Sequence, residues 1–91
     1  MRPFRLEISQ SVQRRLRQLP QRVAKEIAEA IVDLATDPYP PDATELGREL
    51  RNRYRIRVDG WRIIYAVHPH DRIVKVFALR PRDANTYLNL P

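Results

Sequence analysis

Arg48, Arg51, Arg53, Arg55 and Arg57 place five guanidinium groups within ten residues, and Arg62 follows shortly after. Guanidinium is a planar fork of donors that stays charged, grips phosphate through paired hydrogen bonds and stacks on bases. Such a cluster suits a polyanionic partner, and it suits stabilisation of negative charge that develops during phosphoryl chemistry. Arg80 and Arg82 form a second basic group, and Tyr87, near the last residue, offers an aromatic plane for stacking a base. Equipment for other chemistries is missing. The absence of cysteine excludes disulfides and thiolate metal sites, and with only Gly47 and Gly60 no Gly-rich phosphate loop can form. Carboxylates are scattered, and His68 and His70 have no converging ligands in the sequence pattern, so neither a metal nor another cofactor is expected.

The charge is unevenly spread. Seventeen Lys and Arg against eleven Asp and Glu leave a net charge of +6 in 91 residues. Residues 1–45 hold seven bases and seven acids, so the whole excess belongs to residues 46–91. Fifteen of the bases are arginine, which favours recognition of phosphate over simple solubility. With 43% hydrophobic residues the chain is expected to fold as one domain over residues 1–91. No apolar run has the length of a membrane span and no signal core follows Met1, which makes the cytoplasm the expected location.

These side chains need a scaffold. Phe4 to Ile8 alternates apolar and charged residues and reads as a first strand, and Ser9 or Ser11 is placed to cap a following helix. Val12, Leu16 and Leu19 recur at helical spacing up to Pro20, which lacks a backbone N–H and suits the first turn of a new helix, so two helices or one sharply broken helix are expected. Val23, Ile27, Ile31 and Leu34 line one stripe of that second helix, predicted to run to Thr36 before Asp37-Pro38 ends it. Residues 37–42, rich in proline, read as a loop. From Tyr54 onward the pattern is strand, with runs at Tyr54 to Val58, Trp61 to His68 and Arg72 to Leu79. The predicted class is α+β, in the order β-α-α-β-β-β, with a helical hairpin on one face of a small, mainly antiparallel twisted sheet.

Asp59-Gly60 between two alternating runs signals a two-residue hairpin turn and so sets a register. Tyr54 then faces Tyr65, Ile56 faces Ile63, Arg57 faces Arg62 and Val58 faces Trp61. One sheet face carries Tyr54, Ile56, Val58, Trp61, Ile63, Tyr65 and Val67 toward the helices, and the other carries Arg55, Arg57 and Arg62. Like charges directly opposed cost stability, so Arg57 across from Arg62 calls for an offsetting anion; the alternative is that these groups splay into water or pair with Glu49 or Asp83. Arg80-Pro81-Arg82 is read as the exit from the last strand.

The chain resembles the RelE/ParE superfamily of bacterial type II toxins, on the RelE-like side. The resemblance rests on the first strand, the helical hairpin broken at Leu19-Pro20, Asp37-Pro38 and, most specifically, the stretch from Tyr54 to Tyr65. It implies a RelE-like fold and ribosome-dependent cleavage of mRNA in the A site by metal-free attack of the 2′-hydroxyl, which inhibits translation. Arg55 and Arg57 match the paired basic strand residues of the family, and Arg62 matches the arginine after the turn aromatic. Arg82 or Arg80 supplies the C-terminal guanidinium and Tyr87 the stacking ring. Arg48, Arg51, Arg53 and Arg80 are expected to contact RNA.

The implied partners are a cognate acidic antitoxin, the ribosome and mRNA, and a higher-order toxin–antitoxin complex able to bind operator DNA through the antitoxin. In this scheme Arg62 and Arg82 stabilise charge, Arg55 and Arg57 position the substrate, and the general base is unassigned because arginine stays protonated. Two alternatives stand beside it: a ParE-like toxin that inhibits DNA gyrase, and a catalytically weak member that binds only antitoxin or nucleic acid.

Overall fold

The structure, a computed structural model, describes residues 2–47 and 51–82. Its elements are β1 (Arg5–Ile8), α1 (Gln10–Gln18), α2 (Gln21–Asp33), β2 (Thr44–Glu45), β3 (Arg53–Val58), β4 (Trp61–His68) and β5 (Ile73–Pro81). Ser9 caps α1, its hydroxyl accepting from the Val12 N–H at 3.2 Å. Leu19 ends that helix, and Pro20 occupies the N-cap of α2. The second helix is shorter than predicted and stops at Asp33. Pro38 disfavours helical backbone at Asp37, and the Thr36 hydroxyl donates to the Asp33 carbonyl at 3.1 Å, closing the chain into turns instead.

The five strands form one sheet in the order β1-β5-β4-β3-β2, antiparallel except for the parallel pairing of β1 with β5. The predicted architecture is therefore present, with an additional strand, β2, beside β3. The β3–β4 register is the one the Asp59-Gly60 turn implies, pairing Tyr54 with Tyr65 and Arg57 with Arg62. Asp59 and Gly60 both have positive φ, 47° and 81°, as a two-residue turn matched to the right-handed strand twist requires.

Val12, Ile27, Ile31 and Leu34 of the helical layer pack against Ile56, Ile63, Tyr65, Val67, Val74, Val76 and Leu79 of the sheet. Tyr54, Val58 and Trp61 lie against the same cluster, as their parity predicts. Tyr65 is fully buried, and its hydroxyl donates to the Pro38 carbonyl at 2.8 Å, which anchors the proline loop to the middle of the sheet. No helix among the described residues is long and apolar enough to cross a membrane.

One irregularity affects everything beyond it on β5. Ile64 pairs with Ala78 but Tyr65 pairs with Val76, so Phe77 is an extra residue, a β-bulge. Without it, strict alternation from Val76 would turn Arg80 toward the helices.

Candidate nucleic-acid interface

The face of the sheet away from the helices is built by three consecutive strands. Arg57 on β3 pairs with Arg62 on β4, and Arg62 pairs in turn with Arg80 on β5. Three guanidinium side chains thus form a row across the sheet, with neighbouring Cβ atoms about 5 Å apart. The next row contains Arg55, Ile64 and Ala78, and the one after that Arg53, Ala66 and Lys75. Phe77 belongs to this face as well, because the Arg53 guanidinium sits 4.8 Å from its ring centroid and Arg53 shares parity with Arg55 and Arg57.

Exposure across the leading row is uneven. Arg57 is exposed, Arg80 is half-buried and Arg62 is only 4% exposed. A buried cation carries a desolvation cost, and Arg62 is engaged with a neighbouring group. The Arg80 Nε is shielded from solvent with no hydrogen-bond partner among the described residues. Arg57 is thus the member of the row most open to solvent.

The segment after Leu79 is not an exit. Arg80 and Pro81 continue β5, opposite Arg62 and Trp61, and the Arg82 N–H donates to the Gly60 carbonyl at 2.8 Å. Proline is tolerated there because β1 pairs with β5 only at Ile73 to Val76 and so asks no N–H of residue 81. The register therefore puts Arg80, rather than Arg82, in line with Arg57 and Arg62. Arg82 is exposed just past the strand, and Arg51 is exposed in the turn before β3. Arg48 and Tyr87 lie outside the described residues, as do Glu49 and Asp83.

Among possible proton acceptors, His68 ends β4 on the arginine face by parity, but roughly 20 Å along the strand from Arg62. That separation puts it beyond the reach of a phosphate held by the row. Tyr54 and Tyr65 point to the helical side and stack on each other, with ring centroids 5.7 Å apart. Burial pushes both hydroxyls above the usual tyrosine range, so neither ionises near neutrality. Among the described residues no group of three or more His, Cys, Asp or Glu is placed to hold a metal ion.

A family model, the ParE toxin of the type II toxin–antitoxin system parDE, matches residues 6–85. The chain belongs to the RelE/ParE superfamily of type II toxins. This toxin is similar in structure to the archaeal RelE of the RelE–RelB complex from Pyrococcus horikoshii, with a TM-score of 0.80 and 28% identity over 90% of this chain and 98% of the other. It also resembles a chain of the toxin–antitoxin complex RelBE2 from Mycobacterium tuberculosis, with a TM-score of 0.75 and 23% identity over 88% and 99% of the two chains. A mutant Escherichia coli toxin RelE in the free state aligns with a TM-score of 0.76 and 18% identity over 94% and 92%. No curated protein sequence matches the toxin significantly.

Proposed function

We propose that this toxin is a metal-independent endoribonuclease that cuts mRNA on the ribosome and thereby stops translation. The observation that carries the reading is the cross-strand row Arg57, Arg62 and Arg80, three permanent cations aimed at one surface on the backbone of a hairpin. Attack by a ribose 2′-oxygen on the adjacent phosphorus forms a 2′,3′-cyclic phosphate and breaks the bond to the 5′-oxygen. The proton lost from the 2′-hydroxyl goes to a base, and the departing 5′-oxygen takes a proton. Between these events the phosphorane-like centre carries extra negative charge, which fixed guanidinium groups stabilise without reorganising. Arg62 and Arg80 take that role, with Arg82 at its margin, while Arg55 and Arg57 position the strand. Tyr87 is proposed to stack a base, and Arg48, Arg51 and Arg53 to hold flanking phosphates.

The partners proposed are a cognate acidic antitoxin, whose charge complements that of this +6 chain, together with the ribosome and mRNA in the cytoplasm. The solved relatives from Pyrococcus horikoshii and Mycobacterium tuberculosis are themselves toxin–antitoxin complexes, which supports the antitoxin; operator binding would proceed through it. The ParE family match favours a second reading, inhibition of DNA gyrase. Inducing the toxin and mapping both mRNA 5′ ends and DNA breaks separates them. Codon-phased cuts on translated messages that disappear in Arg62→Ala support cleavage, whereas gyrase-dependent breaks on intact messages overturn it.

A further inference from the structure

Beyond the leading row, a pocket of about 190 Å³ opens at the β5 edge that β1 leaves uncovered, lined by Ser11, Arg15, Phe77, Ala78, Leu79 and Arg80. Ser11 and Arg15 are one helical turn apart on α1, so both reach the same opening. Arg15 has no carboxylate partner among the described residues; its guanidinium rests 5.5 Å from the Trp61 ring centroid. Arg80 belongs to both the pocket and the row, and its shielded Nε lacks a partner among the described residues. Two cations, a hydroxyl and an aromatic wall therefore converge on an opening with no acidic lining residue.

We infer that this pocket is a second phosphate subsite, taking the phosphodiester next to the one held by the arginine row. The inference rests on the RNA reading above and extends it to α1. A single strand of nucleic acid presents anions at regular intervals, and Arg80 is the hinge at which one such strand passes from the row into the pocket. The Phe77 ring, projected by the bulge, provides a face for the intervening base. A carboxylate peptide would satisfy the same cations but would make no use of that ring.

Binding of a fully 2′-O-methylated oligoribonucleotide, which cannot be cut, tests the subsite separately from catalysis. Trp61 is the only tryptophan, so its emission reports the departure of Arg15 from its ring as phosphate enters. The wild-type toxin is expected to show this change. Arg15→Gln should bind about tenfold more weakly, with the salt dependence of log K reduced by about 0.7, the contribution of one single-strand phosphate. Ser11→Asp should weaken binding similarly without loss of fold, because an acidic residue in the first turn of α1 favours the helix while repelling phosphate. Unchanged affinity and salt slope in both variants would overturn the proposal. So would Arg15-dependent binding of a polyglutamate peptide without binding of the oligonucleotide. Oligonucleotide binding with the expected dependence, in a toxin that leaves cellular messages intact, supports the subsite and overturns the cleavage reading alone.

Discussion

Arg22 at the start of α2 reaches Asp59 at the tip of the β3–β4 hairpin, 3.3 Å between Nη1 and Oδ2, and also holds Glu26 at 3.0 Å. Glu26 and then Asp59 raise the pKa of Arg22 above its ordinary value. This ion pair is a polar tie between the helical layer and the turn that carries Arg57 and Arg62. Being exposed, it is screened by solvent and adds little to global stability. Its effect is local: Arg22→Gln should leave the melting temperature nearly unchanged while amide exchange accelerates at residues 57–62. Equal exchange in both proteins would remove the tie from the account.

Gly60 holds φ at 81° with open space where a Cβ would be, so a substitution there is opposed by backbone conformation and not by a clash. Gly60→Ala is expected to destabilise the toxin by about 1 to 2 kcal/mol in denaturant titrations. The larger functional cost should appear in RNA binding, because the turn sets the pairing of Arg57 with Arg62.

Tyr65→Phe removes the donor to the Pro38 carbonyl and leaves that buried oxygen unpaired, for an expected loss of about 1 to 3 kcal/mol. The tyrosine also shapes the alkaline limit. Burial raises the folded-state pKa of Tyr65, and to a lesser degree that of Tyr54, so the folded chain holds protons that the unfolded chain releases. Stability from this source is complete below the unfolded tyrosine value of about 10 and declines as pH climbs from there toward the folded value. Melting curves taken from pH 8 upward, with pH 8 to 11 as a rough working range, should show a shallower decline for Tyr65→Phe than for wild type.

Arg80→Ala should reduce cleavage by about a hundredfold to a thousandfold, as removal of a well-aimed charge donor does, and Arg82→Ala by much less. The register is the reason, since Arg80 completes the row and Arg82 lies past its end. Single-turnover rates on programmed ribosomes measure both, and an inverted order would show that the segment rearranges when RNA binds.

The hairpin was legible because the Asp59-Gly60 turn and strict alternation are local signals, and the face carrying Arg55, Arg57 and Arg62 followed from parity alone. The cap at Ser9 and the break at Pro20 were legible for the same reason. What escaped was non-local or irregular. Two residues, Thr44 and Glu45, are too few to show periodicity, so β2 reads as loop until β3 is there to pair with it. The run from Val74 to Leu79 gives no hint of which residue is extra, because apolar side chains occupy both faces at Phe77 and Ala78. Pro81 suggested an exit only because the short reach of β1, which leaves proline harmless there, is a tertiary fact. Phe77, Ser11 and Arg15 were missed as candidates for the same reason: they converge only once the bulge and α1 are in place.

The bulge also makes this surface sensitive to strand pairing in a way that side-chain chemistry alone would not reveal. Zipping β5 onto β4 without the bulge would keep every residue of the strand yet turn its remainder over, sending Leu79 into water and Arg80 into the oil of the interior. Excising Phe77 would instead close the bulge with Arg80 still facing outward, so a single-codon deletion there is expected to remove the Phe77 ring while sparing the arginine row.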